Sequence, residues 1–228
     1  MIKLPILIHT ALLVYEGKLR WDTTLTFREQ DRTPGSGVLL NLSDGLTLSL
    51  LDVCTLMICM SDNSATNMII DILGVEPVNE CMRSLGCIGT ELNRKVYSND
   101  TPRNPANAKY GLGVTNVADQ LHLLNLVQSN FIGDVQTCDI IRTMLGKQHY
   151  RTGIPRLMGE DYKFMGKSGS VDHVRNDVGI VITPAGRSIL LAIFCQDIET
   201  VSWSPDNIGL LAIANLSKSI VDYLDSHF

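Results

Sequence analysis

Aromatic residues make up only 6% of the 228 positions and charged residues 19%. With 45% hydrophobic residues and a formal charge of −5, the chain lacks the polarity of a disordered protein and the basic excess of a nucleic-acid platform. No apolar stretch runs uncharged for the about twenty residues a membrane helix needs. There is no internal repeat, and the six cysteines (Cys54, Cys59, Cys81, Cys87, Cys138, Cys195) contain no C-x-x-C pair, so they read as buried free thiols. His9, His122, His149, His173 and His227 are scattered without ligand spacing; no metal and no cofactor are expected. Met1 to Tyr15 has one lysine before an apolar run, but Pro5 and His9 interrupt it and no small-residue cleavage site follows, so it does not read as a secretory leader.

What is present is a chain long enough for one large domain with a sizeable core, helical first and β-rich last. Lys3 to Tyr15 is apolar on nearly all faces and predicts a buried helix closed by Gly17. After a polar stretch from Asp22 to Gly37, Leu46 to Met60 predicts a second buried helix with Ser49 as a cap. Ala65 to Leu73 and Pro77 to Leu85 predict short helices closed by Gly74 and Gly86. The long loop from Cys87 to Gly113 is a hint of function. Val117 to Val127 and Val135 to Leu145 are helical in pattern. Residues 161–170, 177–183 and 187–195 are β-rich, with a hairpin turn at Pro184 to Gly186, and Ser204-Pro205-Asp206 opens a last helix to about Leu224. Three consecutive strands without βαβ alternation predict an antiparallel sheet packed on helices.

Three small clusters carry the chemistry. Lys3 opens the first buried helix, Ser61-Asp62-Asn63 follows the second, and Lys167-Ser168-Gly169-Ser170 lies in the first β-rich run. Each has a plain reading alone: a snorkelling surface lysine, a helix-capping cluster, an edge-strand lysine. In this order they resemble the S-x-x-K, S-D-N and K-[ST]-G set of class A β-lactamases and penicillin-binding proteins. Ile2 to Leu7, Gly35 to Leu39, Leu46 to Leu48, Ser61 to Asn67, and Val174 to Asp177 followed by Gly179-Ile180-Val181 are similar to stretches of that family, so the resemblance covers nearly the whole chain.

The resemblance implies an α/β fold of the α+β type, β-lactamase/transpeptidase-like, with an antiparallel sheet flanked by helices and an all-helical subdomain. Residues 1–228 would form one catalytic domain, about 1–155 mainly helical and about 156–228 three strands and a helix, the family's N-terminal helix and two strands being missing. It implies hydrolysis of the β-lactam amide bond through an acyl-serine, an antibiotic-resistance activity, acting on a small-molecule β-lactam or a peptidoglycan-like peptide. Lys3 would be the base, its pKa lowered by burial and by Lys167 as a second cation. Ser61 would pass the proton to the leaving nitrogen, Asn63 would hold the substrate's acylamide, and Ser168 with Lys167 its carboxylate. Ser170 would offer a backbone N–H to the oxyanion, with Gly169 allowing close approach. Arg175 is a further candidate carboxylate ligand.

Two departures qualify this. Counting back three residues from Lys3 lands one position before Met1, so the chain is expected to be truncated and to form no acyl-enzyme at this site. The glutamate that class A enzymes use for deacylation is also absent: one register puts Val96 at its position, another Gly89, and Glu91 and Asp100 are nearby loop carboxylates. A restored protein would therefore acylate and stall. The alternatives are a D-alanyl-D-alanine peptidase or other serine acyl hydrolase, and a non-catalytic remnant. The family resemblance implies export, against which six cysteines sit awkwardly, and the open sheet edge predicts low solubility.

Overall fold

The computed structural model describes residues 1–100 and 104–227; part of the Cys87–Gly113 loop, 101–103, lies outside the described residues, as does Phe228. Helix α1 is Lys3–Tyr15, buried from Lys3 through Ala11 and ended by Gly17 in the left-handed region. Full burial of Leu4, Ile6, Leu7 and Ile8 contributes roughly 1.5–3 kcal/mol for each side chain, which holds this helix in the centre of the molecule. Strand β1 (Thr24–Thr26) pairs antiparallel with β2 (Thr47–Ser49), and α2 (Leu50–Cys59) starts after it. The sequence pattern predicts a helix from Leu46, but pairing of Thr47 to Ser49 with β1 claims those residues first. Ser49 is the cap as expected: its hydroxyl accepts the Asp52 N–H at 3.1 Å and the Asp52 carboxylate accepts the Ser49 N–H at 3.3 Å.

Helix α3 (Asn63–Leu73) starts two residues earlier than its pattern predicts, because Asp62 caps it by accepting the Ala65 N–H at 2.9 Å. Helix α4 (Val75–Ser84) follows directly after Gly74. The long loop is not structureless: β3 (Glu91–Leu92) pairs with β4 (Gly113–Val114) across a 3-10 turn at Pro105–Tyr110. Helices α5 (Val117–Gln128) and α6 (Val135–Gly146) are capped by Asn116 and Asp134.

Strands β5 (Lys163–Val171), β6 (Val174–Ile182) and β7 (Ser188–Cys195) form an antiparallel sheet in that order, and α7 (Ile208–His227) closes the chain. One sheet face carries Val178 and Ile180 into the helical core around α1, α2 and α6; the other carries Phe164, Val181 and Leu191 against Ile213 and Val221 of α7. Gly166 and Gly179 stand opposite each other because the Phe164 ring lies over both; a Cβ at either would come within 2.4 Å of that ring. The result is the expected helical part with an antiparallel sheet and flanking helices. Cys54, Cys87 and Cys138 are buried, whereas Cys59, Cys81 and Cys195 are only half-buried, against the expectation of six buried thiols. No helix among the described residues is long and apolar enough to cross a membrane.

Candidate active site

Three clusters separated widely in sequence meet at one place. Lys3, in the first turn of α1, is buried and points its Nζ at the turn between α2 and α3. There it donates to the Ser61 carbonyl at 2.5 Å and to Asn63 Oδ1 at 2.9 Å, and lies 3.2 Å from Ser61 Oγ. Burial holds the Lys3 amine well below the usual lysine range; the Lys167 cation lowers it further and Asp62 opposes. A longer contact, 3.5 Å, reaches the Asp62 carbonyl, so the amine is held by the turn from Ser61 to Asn63.

Ser61 sits at φ +51°, a left-handed backbone uncommon outside glycine. Asp62 imposes it. Its fully buried carboxylate caps α3 with one oxygen and with the other accepts the N–H groups of Val38 at 2.6 Å and Leu39 at 2.9 Å. Gly37 lets that loop close, since a Cβ there would meet the Asp62 carboxylate at 2.3 Å. Asn63 donates its amide to the Pro34 carbonyl at 2.8 Å and receives Lys3, so both ends of its side chain are engaged in the free protein.

Lys167 enters from β5. It is fully buried, donating to Ser61 Oγ at 3.1 Å and to the Ser168 carbonyl at 2.6 Å. Burial lowers its pKa to about 8, with Asp177 and Cys59 pulling the other way. Ser61 Oγ therefore stands between two lysine nitrogens, 3.2 Å from Lys3 Nζ and 3.1 Å from Lys167 Nζ. Gly169 and Ser168 are half-buried beside them, and Ser170 is exposed farther along the strand. A Cβ on Gly169 would come 2.8 Å from the Met1 nitrogen, which explains the glycine. Met1's amino group is itself buried beside both lysines, and burial with Lys167 and Lys3 lowers it to about 4.

Arg175 is the correction. It is opposite Ser170 in the β5–β6 register, and its guanidinium donates to the carbonyls of Val171, Asp172, Val174 and Ser202 while its carbon lies 4.8 Å from the Trp203 ring centre. With both terminal nitrogens engaged by backbone carbonyls, it fastens the β5–β6 turn to the segment before α7 and is withdrawn from the substrate-binding set. Its neighbour Asp177, also fully buried, accepts the Ile154 N–H at 2.8 Å through one oxygen and has no partner among the described residues for the other. Burial pushes its carboxyl up to about 7, opposed by that N–H and by Lys167.

Two positioning residues escape sequence reading. Buried Gln148 donates to the carbonyls of Ile58 at 3.1 Å and Gly166 at 3.3 Å, joining the end of α2 to β5 and so setting Ser61 against Lys167. Asn67 brackets Val96, accepting its N–H at 2.8 Å and donating to its carbonyl at 3.2 Å. No local pattern announces the first; the second lies within the quoted stretch Ser61 to Asn67 but its partner is 29 residues away. Of the two loop carboxylates, Glu91 accepts from Asn107 and Asp100 from Ser98. Among the described residues no group of three or more His, Cys, Asp or Glu could hold a metal ion.

A family model described as the beta-lactamase enzyme family matches residues 1–224. A β-lactamase from Sphaerobacter thermophilus DSM 20745 is 31% identical, with a TM-score of 0.84 over 96% of this chain and 80% of that one. A mutant of PBP-A, solved as an acyl-enzyme complex with penicillin G, is 26% identical, with a TM-score of 0.84 over 99% of this chain and 80% of that one. A class A β-lactamase from Bacteroides cellulosilyticus DSM 14838, at 21% identity and a TM-score of 0.82 over 98% of this chain and 82% of that one, shares the fold. No curated protein matches the chain.

Proposed function

The chain belongs to the beta-lactamase enzyme family, and on that premise we propose that the cleft between Lys3, Ser61 and Lys167 recognises β-lactams and serves acyl transfer to a serine one helical turn before Lys3. In this sequence that position falls ahead of Met1. The observation that carries the reading is Ser61 Oγ at 3.2 Å from Lys3 Nζ and 3.1 Å from Lys167 Nζ. Lys3, whose amine burial and Lys167 hold well below the usual lysine range, takes the proton of the attacking hydroxyl. Ser61 relays a proton to the nitrogen released when the lactam C–N bond breaks. Lys167, still largely a cation at pH 7, attracts the substrate carboxylate, with Ser168 beside it. Backbone N–H groups around Gly169 and Ser170 take the developing oxyanion, and Asn63 exchanges its Pro34 bond for the substrate's acylamide.

The lack of a deacylating glutamate favours acylation without efficient release, the behaviour of a penicillin-binding protein. Val96, whose backbone Asn67 brackets, and Gly89, the two positions offered for it, have no group to activate water. The acyl-enzyme state in which the PBP-A mutant was solved is in keeping with this. The test lengthens the chain by one serine directly ahead of Met1 and follows penicillin G by intact mass and peptide mapping. A penicilloyl ester on the added serine, cleared more slowly than it forms, is expected. Rapid clearance would favour the β-lactamase reading, and absence of both the ester and reversible binding would overturn the proposal.

A further inference from the structure

A cavity of about 530 Å³ lies toward the other end of α1 from Lys3, within the roughly 300–1,000 Å³ of small-molecule clefts. His9, Leu12 and Leu13 of α1 line one wall, Ile72 and Leu73 come from the end of α3, and Glu80 stands on α4. His9 is only 9% exposed, and its Nε2 has no hydrogen-bond partner among the described residues. A polar atom buried in this way is destabilising unless something pairs with it. Thr10, the next residue on α1, shows the ordinary solution, donating to the Ile6 carbonyl at 2.8 Å. The charges that act on the His9 ring, Glu16 and Lys18, both line the cavity, so the imidazole lies on that side. A histidine at its ordinary 6.5 is already mostly uncharged at pH 7.5, and burial lowers it further, so the ring offers one donor and one acceptor nitrogen.

We propose that this cavity is a binding site for a small aromatic amine that carries a hydroxyl. The ring packs among Leu12, Leu13, Ile72 and Leu73, the hydroxyl pairs with His9 Nε2, and the ammonium stays at the rim beside Glu80. A hydroxyl both donates and accepts, so it satisfies Nε2 in either tautomer of the ring. The rim selects the charge. Glu16 is paired with Lys18 at 2.7 Å, whereas the exposed Glu80 makes no ion pair among the described residues, which leaves one uncompensated carboxylate to attract a cation and repel an anion. No residue of the Lys3–Ser61–Lys167 cluster lines this cavity, so the inference does not depend on how that cleft is read.

The experiment titrates the full chain with tyramine in a calorimeter at pH 7.5, then with phenethylamine, which lacks the hydroxyl. One tyramine per chain is expected, with a Kd of roughly 0.1–1 mM, as suits a ligand of about ten non-hydrogen atoms. Phenethylamine on the parent chain, and tyramine on His9→Leu, should each bind about tenfold more weakly. Tyramine on Glu80→Lys should bind about fivefold more weakly. His9→Leu replaces the unpaired nitrogen with apolar atoms and is expected to keep or raise the denaturation midpoint. Glu80→Lys alters only an exposed side chain of α4, so it reads the same site even if the change at position 9 disturbs the core. The absence of saturable tyramine binding, equal affinity for phenethylamine, or binding unchanged in either folded variant overturns the inference.

Discussion

Lys167 and Arg175 are both fully buried cations on adjacent strands of one sheet, yet they do opposite work. Arg175 spends its guanidinium on four carbonyls and an indole face. Lys167 has one carbonyl and one serine hydroxyl, and its position on β5 turns it toward the helical part. A buried cation whose donors are filled by backbone is a fastener; one left with unused donor capacity has a reason to receive an anion. Burial alone does not distinguish them. The count of partners does.

The largest effect is expected from Arg175→Met, which strips the donor from the β5–β6 turn and from the Ser202 carbonyl. About 3 kcal/mol or more of stability should be lost, read as a fall in the denaturation midpoint, while molecules still folded keep their affinity for penicillin G. If affinity collapses and stability holds, the comparison is broken. Lys167→Met is its mirror: stability within about 1 kcal/mol of the parent, and affinity for penicillin G weakened by roughly thirtyfold or ~2 kcal/mol in calorimetry.

The titration of Lys167 gives a third, smaller test. Its folded pKa, about 8, lies below the unfolded lysine value of 10.5, so between those values the unfolded chain binds more protons and stability rises with pH. Over the same window carboxylate affinity should fall as the cation is lost, levelling off at about the thirtyfold loss expected of Lys167→Met. Lys167→Met should flatten both trends. Asp177 runs the other way and is expected to matter least for the ligand. Its folded pKa of about 7 stands above 3.8, so stability declines as pH rises from 3.8 to 7. Asp177→Asn should remove that decline, measured by denaturation at a series of pH values, with little change in penicillin G affinity at pH 6.

The reactive cluster is legible in the sequence because each part is a short motif on a predictable element end: Lys3 at a helix start, Ser61 at a helix stop, Lys167 in a strand. Arg175 was misread although the pattern needed to place it is local. Asp172-His173 is a two-residue turn, which pairs Arg175 with Ser170, three residues from Lys167 and therefore on the other sheet face. The start of α2 was misread because the partner of Thr47 to Ser49 lies in a polar stretch with no strand pattern. Gln148 is illegible in principle, since its two acceptors are 90 and 18 residues away. Periodicity reports the neighbours a residue has along its own element, not those a fold delivers from elsewhere.

The 106-residue separation of Ser61 and Lys167 also fixes when the pair can meet during folding. The β5–β6 and β6–β7 hairpins close locally and quickly, whereas this contact must wait for the ends of a long loop to find each other. A chain emerging from the ribosome therefore holds Lys3 and Ser61 in its helical part long before the strand that completes their surroundings is made. Stalling synthesis just before Lys163 should leave those residues accessible to hydrogen exchange, and release should protect them in one late phase.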